Sequence, residues 1–583
     1  MSAPEVAAKQ ARPGLLRRYL PILHWLPTYQ RDWFAADAVA ALSVWALLIP
    51  QGLAYATIAG VPVQYGLYTA FVGLIAYAVF GTSRQLVQGP SGAVAAVSAA
   101  VIGPIVGTAA LGTSKAVGYT AALALVTGVV YLALGLLRMG WISNFLSKAV
   151  LGGFVVGFAI GIIIDQSHKL LGVDNVAGSY VQELVGTIKE LPDTSLATLA
   201  VGAGSLAALL LLRRFLTHWP RALLVMALSI LAVQAFDLAD HGVAVTGAVP
   251  TGLFSIGLPG VGWGEIGALV TGALSVVFVG YSESLASARA MALTHHYEID
   301  PDQELIAQGM ACGAAGLVGG FATDGSLSKT SVADAAGQQT QMASLINALF
   351  VLLTMLLLAS LFENLPAATL GAVVIDAMLG VVTFAPLRRY FRVNRPDWVF
   401  YLGAMLGILF FGIIQGILIG VVLSLLLLIA RASKPGIRRL GRDPKADVWV
   451  DVARYSGLET VPGVLAVRMD GPLFFADANR FRDTLNELIR SNRESVRALV
   501  VDATAISQTD TDGADIVIQI AGDLRSQGIA LAVAHLEHSI LELWTRAGAI
   551  DAIGPDRIFE TVRGAVRALE TGPTATAAST SAP

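Results

Sequence analysis

Residues 85–98 read QLVQGPSGAVAAVS, and residues 320–331 read GFATDGSLSKTS. In the first stretch Gly89-Pro90 breaks one helix, and proline suits the first turn of the next because the N–H it lacks is not needed there. A helix from Ser91 onward therefore begins with free backbone N–H groups and the positive end of its dipole. In the second stretch Asp324-Gly325 is a turn signal, and Ser326, Ser328 and Thr330 offer hydroxyls where the next helix starts. Two such N-termini facing one another make an anion site that needs no cofactor. The same hydroxyls can equally cap their own helices or pack between helices, as small polar residues do in membranes. Lys329 beside them favours the anion.

Both stretches are embedded in apolar sequence. Of the 583 residues 55% are hydrophobic and only 14% charged, against about 25% charged in a soluble domain. Asp, Glu, Lys and Arg number 41 in residues 1–430 and 38 in residues 431–583. The first region is too poor in charge to face water, and the last is ordinary soluble protein. A net charge of -3 gives no sign of nucleic acid. The single Cys312 excludes an internal disulfide and a cysteine metal cluster. The chain has no GxxxxGK string, which argues against an ATP-driven pump with a P-loop of its own.

Apolar runs fall at about 33–60, 66–81, 85–106, 117–138, 145–165, 195–212 and 220–236. After a polar loop they resume at 266–290, 303–320, 327–338, 342–361, 365–384, 398–413 and 414–430. The first is too long for a signal-peptide core. Several are full spans, which need about 20 residues. Lys9, Arg12, Arg17 and Arg18 precede the first run, and Arg431, Lys434, Arg438, Arg439, Arg442 and Lys445 follow the last. Positive charge marks the cytoplasmic side, so both ends lie there and the number of spans is even. Fourteen satisfies this and divides as seven plus seven. The two short segments, beginning near Gly89 and Ser326, then fall third in each half. Broken segments at matching positions in two halves point to an inverted-repeat transporter with its site at the midplane.

Two charges lie inside this apolar region, Lys329 and Glu283 in GYSESLASARA. Each costs several kcal/mol unless paired or facing a wet cavity, so each is a functional candidate. The alternative is a Lys–Glu pair that only fixes two helices. Arg289, near the end of its helix, reads as an interfacial anchor. Gln51 and Tyr55 in PQGLAYA share a helix face, and Pro50 before them is expected to interrupt the first span and free a carbonyl. Gln51 can donate to an anion while Tyr55 offers ring and hydroxyl to the same cavity; a kink-holding Gln and a packed Tyr are the competing account. His295 and His296, with Glu298 and Asp300, read as a solvated loop and not a metal site.

PQGLAYA (50–56), PVQYGLYTA (62–70), the GTSRQL...GP run (81–90), DPDQELIAQG (300–309) and GSLSKT (325–330) together resemble the SulP family of anion transporters. The likeness covers nearly the whole chain, and the C-terminal part is similar to the STAS domain of that family. The resemblance implies an α-helical polytopic membrane domain of fourteen segments in a 7+7 inverted repeat, with core and gate subdomains, followed by an α/β STAS domain. It places the anion between the third and tenth helices, at Ser91 with the amides from Gly92 onward, and at Ser326, Leu327, Ser328 and Lys329. It adds Gln51 and Tyr55 from the first helix, and Glu283 as the acidic, coupling-ion position of the eighth. Many members have Arg where this chain has Lys329 and an aromatic where it has Ser91. The charge is kept but the bidentate fork is lost, and the pocket becomes more polar.

The expected activity is elevator-like secondary transport of a small anion coupled to H+ or Na+. Sulfate is the family default, with bicarbonate, C4-dicarboxylate or an uncoupled channel or exchanger as alternatives. No enzyme activity, metal or cofactor is expected. The expected setting is the inner (plasma) membrane, multi-pass, with the lipid bilayer and a second copy in a homodimer as partners. The expected divisions are 1–32, a cytoplasmic N-terminal segment; 33–430, the transmembrane anion-transport domain; 431–462, a basic linker and the start of the cytoplasmic region; 463–569, the STAS domain; and 570–583, a disordered tail. In the STAS region VLAVRMDGPLFFAD, ALVVDATAIS and GIALAVAH read as strands alternating with helices. Asp512-Gly513 opens a helix where soluble relatives of the fold carry a phosphorylatable Ser, and Thr511 is a weaker candidate. The domain is expected to regulate or assemble, and to bind a cytoplasmic partner.

Overall fold

Long runs with few charges leave the backbone no partner in a bilayer but itself, and they fold as helices. The computed structural model describes residues 19–107, 110–141, 148–174, 178–215, 220–247, 253–432, 436–492 and 496–570. The basic residues Lys9, Arg12, Arg17, Arg18 and Lys434 and the tail from 571 lie outside the described residues. The chain divides into one unit through Ser424 and a second from Leu425.

The first half of the membrane unit runs α1 (Trp33–Ile58), α2 (Gln64–Phe80), the strand β1 (Gln88–Gly89), α3 (Gly92–Val106), α4 (Ser114–Leu136), α5 (Lys148–Leu171), α6 (Tyr180–Lys189), α7 (Leu196–Phe215) and α8 (Arg221–Phe236). The second half runs α9 (Ile266–Thr294), α10 (Pro301–Leu317), the strand β2 (Asp324–Gly325), α11 (Leu327–Ala335), α12 (Met342–Leu353), α13 (Ala367–Val381), α14 (Ala385–Val393), α15 (Arg395–Phe411) and α16 (Ile413–Ala432). Among the described residues, seven helical stretches are long and apolar enough to cross a membrane. All fourteen expected segments have a helix, and the third of each half is a short one preceded by extended chain. Two further helices, α6 and α14, occupy the same place in each half, between the fifth and sixth segments. Both are short and polar on one face, so a reading by hydropathy passes over them. Pro50 lies inside α1 without ending it, contrary to the expected interruption.

β1 and β2 pair antiparallel, Gln88 opposite Gly325 and Gly89 opposite Asp324. Extended backbone within an apolar interior must find partners, and the two breaks satisfy each other. An antiparallel pair is also what a two-fold relation between inverted halves produces. Around it α4 and α2 pack on α10, α1 on α12, and α9 on α3 and α4. A second bundle gathers α5 with α13 and α15, and α7 with α13.

Glycines set the closest approaches. A Cβ on Gly66 would lie 1.9 Å from the Gly52 carbonyl oxygen, so α1 and α2 touch backbone to backbone. Gly66→Ala must push two buried helices apart, and we expect a loss of about 3 kcal/mol or failure to fold. Gly204→Ala, with nothing within 4 Å of the new methyl, should leave the melting temperature in detergent equal or slightly higher, since alanine is the better helix former.

The second unit is a six-stranded sheet in the order β4-β3-β5-β6-β7-β8. Its strands are β3 (Gly436–Asp443), β4 (Val448–Asp451), β5 (Val464–Asp470), β6 (Ala498–Asp502), β7 (Ala530–Ala534) and β8 (Ile558–Phe559). β5 to β8 are parallel and β3 is antiparallel to both neighbours. Helices α17 (Ala478–Ser491), α18 (Thr511–Ser526), α19 (His538–Arg546), α20 (Ala549–Ile553) and α21 (Val562–Glu570) supply the layers. Phe481, Val517 and Trp544 pack with Leu499 and Leu531 in one core, and Val562 and Val566 with Ala466 and Val500 in another. The stretch read as a basic linker and the start of the cytoplasmic region carries the β3–β4 hairpin. Its charges are paired across strands, Arg438 with Asp451 at 3.0 Å and with Asp470, which hides the apolar alternation of an edge.

Asp510 caps α18, its Oδ1 accepting from the Gly513 amide at 2.8 Å, and Asp512 lies exposed in the first turn. Asp502 is fully buried at the end of β6. Burial opposes its charge, but bonds from Thr504, His535 at 2.9 Å and Arg468 at 2.7 Å hold its carboxyl below the usual range. A carboxyl lowered by folding stabilises the fold above its unfolded pKa, and the contribution disappears as pH falls through the folded value. Protection factors at β6 and β7, corrected for the pH dependence of intrinsic exchange, should therefore fall in acid. Asp502→Asn should show the lower protection already at pH 7 and a weaker acid dependence.

Candidate functional site

α3 and α11 start at the ends of the β1–β2 pair. Ser91 has extended backbone and its Oγ accepts from the Val94 amide at 3.4 Å, capping α3. The amides of Gly92 and Ala93 fall in the first turn, where no carbonyl of their own helix is available. Ser326 holds the equivalent place before α11, but its Oγ bonds Ser328 Oγ at 2.9 Å and makes no side-chain cap. The first-turn amides of Leu327, Ser328 and Lys329 are in the same position as those of α3. Leu327 and Ser328 are exposed, while Ser91 and Ser326 are buried.

Lys329 is completely buried, and its Nζ donates to the Pro90 carbonyl at 2.5 Å. It thus reaches from α11 to the break before α3. The ammonium lies close to the β1 backbone, since a Cβ built on Gly89 would stand 3.7 Å from Nζ, in ordinary contact. α1 closes the side. A Cβ on Gly52 would stand 3.6 Å from the Pro90 ring, and one on Gly92 would stand 3.3 Å from the Tyr55 ring. Gln51 and Tyr55 are both buried, yet neither side chain is hydrogen-bonded to a described residue. Two polar groups are thus left open on one face of α1.

α9 brings Glu283, which lies within electrostatic reach of Lys329, Tyr55 and Asp324. No ion pair joins Lys329 directly to either acid among the described residues, so the simple helix-fixing Lys–Glu pair is not made. Asp324 in β2 is fully buried; neither oxygen meets a donor in bonding geometry, although Ser91 and Glu283 stand within reach. The Gly325 amide donates to Ser284 Oγ at 2.6 Å and pins β2 to α9.

The extended chain is held by buried amides. Gln88 Nε2 donates to Gln308 Oε1 at 2.7 Å and Thr323 Oγ1 at 2.8 Å, and Gln308 returns a bond at 3.1 Å. Glu304 accepts from Tyr77 and from the Thr82 amide, both at 2.8 Å. These contacts explain why the DPDQELIAQG run carries polar residues on a membrane helix. Arg289 lies in the last turns of α9, which ends at Thr294. His295 follows it and meets Asp334 of α11 at 2.5 Å; no group of three or more metal-ligand side chains is found among the described residues.

Ser91, Gly92, Ser326, Leu327, Ser328 and Lys329 thus lie at the two helix starts with Tyr55 against Gly92, Glu283 is within electrostatic reach of Lys329, and Gln51 lies one turn before Tyr55 on α1. Sequence reasoning missed Asp324, Gln88 and Gln308. The signal for Asp324 was present: a carboxylate in apolar sequence, the criterion that singled out Lys329. Its place in an Asp-Gly turn concealed it.

The chain matches the Sulfate permease family over residues 34–404 and the STAS domain over residues 455–565. It is 32% identical over 541 residues to a probable sulfate transporter of Mycobacterium tuberculosis, covering 93% of this chain and 96% of that protein. It is 29% identical to a low affinity sulfate transporter of Stylosanthes hamata, covering 95% and 90%. Among solved structures it superposes on the murine Solute Carrier 26 family member A9 anion transporter in the inward-facing state with a TM-score of 0.89, at 23% identity and 97% and 96% coverage. The transmembrane domain of a cyanobacterium bicarbonate transporter gives 0.59 at 20% identity, covering 68% of this chain and 98% of that one.

Proposed function

The chain belongs to the sulfate permease family, whose members are transporters and not enzymes, and from that premise we propose that it is a secondary active transporter of a small anion, sulfate first, coupled to H+ or Na+. The observation that carries this reading is the pair of helix N-termini bridged by buried Lys329. Amides and hydroxyls at Ser91, Gly92, Ser326, Leu327 and Ser328 supply donors without a resident cofactor, Lys329 supplies charge, and Gln51 and Tyr55 wall the cavity. Glu283 takes the coupling proton or helps hold a cation. Transport proceeds by an elevator-like shift of the bundle holding the site against the second bundle, with both termini cytoplasmic and two copies forming a homodimer. The STAS domain regulates this cycle, and Asp512, already charged at a helix start, leaves no serine-kinase switch at that position.

Sulfate is preferred because the named relatives are sulfate transporters; the likeness to the bicarbonate transporter is one of fold. The test is uptake of labelled sulfate, bicarbonate, succinate and chloride into proteoliposomes, with and without pH or sodium gradients. Sulfate should accumulate against its gradient when an ion gradient is imposed. Dissipative chloride flux alone would indicate a channel, and absence of any flux would overturn the transport reading.

A further inference from the structure

We propose that α14 lies along the membrane surface and that its arginines bind the headgroups of anionic phospholipids, anchoring the second bundle to one leaflet. α14 reads APLRRYFRV from Ala385 to Val393, with three arginines and no acid. Arg388, Arg389 and Arg392 are all exposed, and none is paired with a carboxylate among the described residues. On a helix of 3.6 residues per turn the three fall within an arc of about 100°. The opposite side is apolar. Tyr390 meets Tyr401 with ring centroids 6.0 Å apart, and Phe391 meets Trp398 at 5.4 Å, both partners lying on α15. Yet Phe384 just before the helix, Phe391 and Val393 remain 49%, 55% and 75% exposed. A short helix with a basic face and outward-facing large apolar side chains is suited to a bilayer interface, charges among headgroups and rings at the acyl boundary. Trp398 beside it fits that depth.

The place of α14 in the chain agrees. α13 ends at Val381 and α15 opens the next apolar segment at Arg395, so α14 sits at a span end. Further cations gather there. Arg213 at the close of α7 and Arg221 at the start of α8 share Asp376 of α13, at 3.9 and 3.7 Å. The architecture does not require this charge at α14. Its counterpart α6, in the same place of the first half, carries one acid, Glu183, and one base, Lys189, and so sums to zero. Charge complementarity identifies the occupant. Unpaired arginines need an anion and the exposed rings need hydrocarbon; an anionic phospholipid offers both. Free phosphate offers only the first, and a zwitterionic lipid lacks the net charge. With both termini cytoplasmic, as proposed above, the thirteenth segment α15 starts on the cytoplasmic side, which makes the leaflet the inner one.

The experiment uses the purified full-length protein, delipidated in non-ionic detergent, with fluorescent phosphatidylglycerol as probe. Unlabelled phosphatidylglycerol should displace the probe, while phosphatidylcholine and inorganic phosphate should not. Changing Arg388, Arg389 and Arg392 together to Gln should weaken phosphatidylglycerol binding roughly a hundredfold, at about fivefold per arginine. Added salt should weaken the wild type more than this variant. Lysine at the same three positions should hold affinity within a few fold. Gln at Arg480, Arg482 and Arg490 of α17 removes the same charge elsewhere and should change nothing. Wild-type affinity in the α14 glutamine variant would overturn the proposal. So would an equal loss in the α17 variant, which would reduce the effect to net charge. Displacement by millimolar phosphate as complete as by phosphatidylglycerol would overturn it in favour of a free-anion site. No sulfate flux enters the readout, so failure of the transport reading and failure of this proposal are separate results.

Discussion

Lys329→Ala is expected to weaken anion binding by roughly ten- to a hundredfold, since charge-assisted hydrogen bonds contribute about 1.5–3 kcal/mol and each 1.4 kcal/mol is about tenfold. The side chain is wholly buried and, among the described residues, is the only lysine or arginine in the cluster formed by the helix starts, Asp324 and Glu283. Its removal leaves those two acids facing an incoming anion without a compensating charge. It also frees the Pro90 carbonyl that now receives the ammonium at 2.5 Å, so the break before α3 should loosen. Lys329→Arg separates these effects: it restores charge, but its planar head cannot reproduce one short bond to a carbonyl. We expect partial recovery of affinity in the arginine variant. Sulfate affinity measured in detergent, alongside thermal stability, checks both; wild-type affinity in the alanine variant would remove Lys329 from the site.

The second large effect is on coupling. Glu283→Gln keeps shape and polarity but removes a titratable group, so accumulation driven by an ion gradient should disappear while exchange of anion for anion continues. A variant that merely damaged packing would lower both together. The two fluxes, measured on one proteoliposome preparation, therefore distinguish a coupling role from a structural one. Retention of gradient-driven accumulation would place coupling elsewhere in the chain.

The parts of this molecule legible in its sequence are those governed by local rules. Gly89-Pro90 and Asp324-Gly325 announce two broken helices, and apolar length announces the spans around them. The antiparallel pairing of Gln88–Gly89 with Asp324–Gly325 depends on where distant halves meet, and two residues per strand leave no alternation to read. α14 escapes for another reason: three exposed arginines, Arg388, Arg389 and Arg392, interrupt a short helix and lower its apolar character. Pro50 misleads in the opposite direction, because a helix packed among others tolerates the missing N–H, and α1 runs through it from Trp33 to Ile58. At the site, Lys329 and Glu283 are visible as expensive charges in apolar sequence. Asp324 carries the same expense, yet its turn-forming neighbour gives it an ordinary explanation that only its burial removes.

The central claim is that the anion lies between the N-termini of α3 and α11. Its most direct measurement is the position of bound selenate, a scattering substitute for sulfate, located by its anomalous signal in crystals of the purified protein. The account predicts a peak within hydrogen-bonding distance of the Gly92 and Ser328 amides, beside Tyr55 and lost in Lys329→Ala. A wild-type peak elsewhere on the protein, with none between the two helix starts, would contradict it.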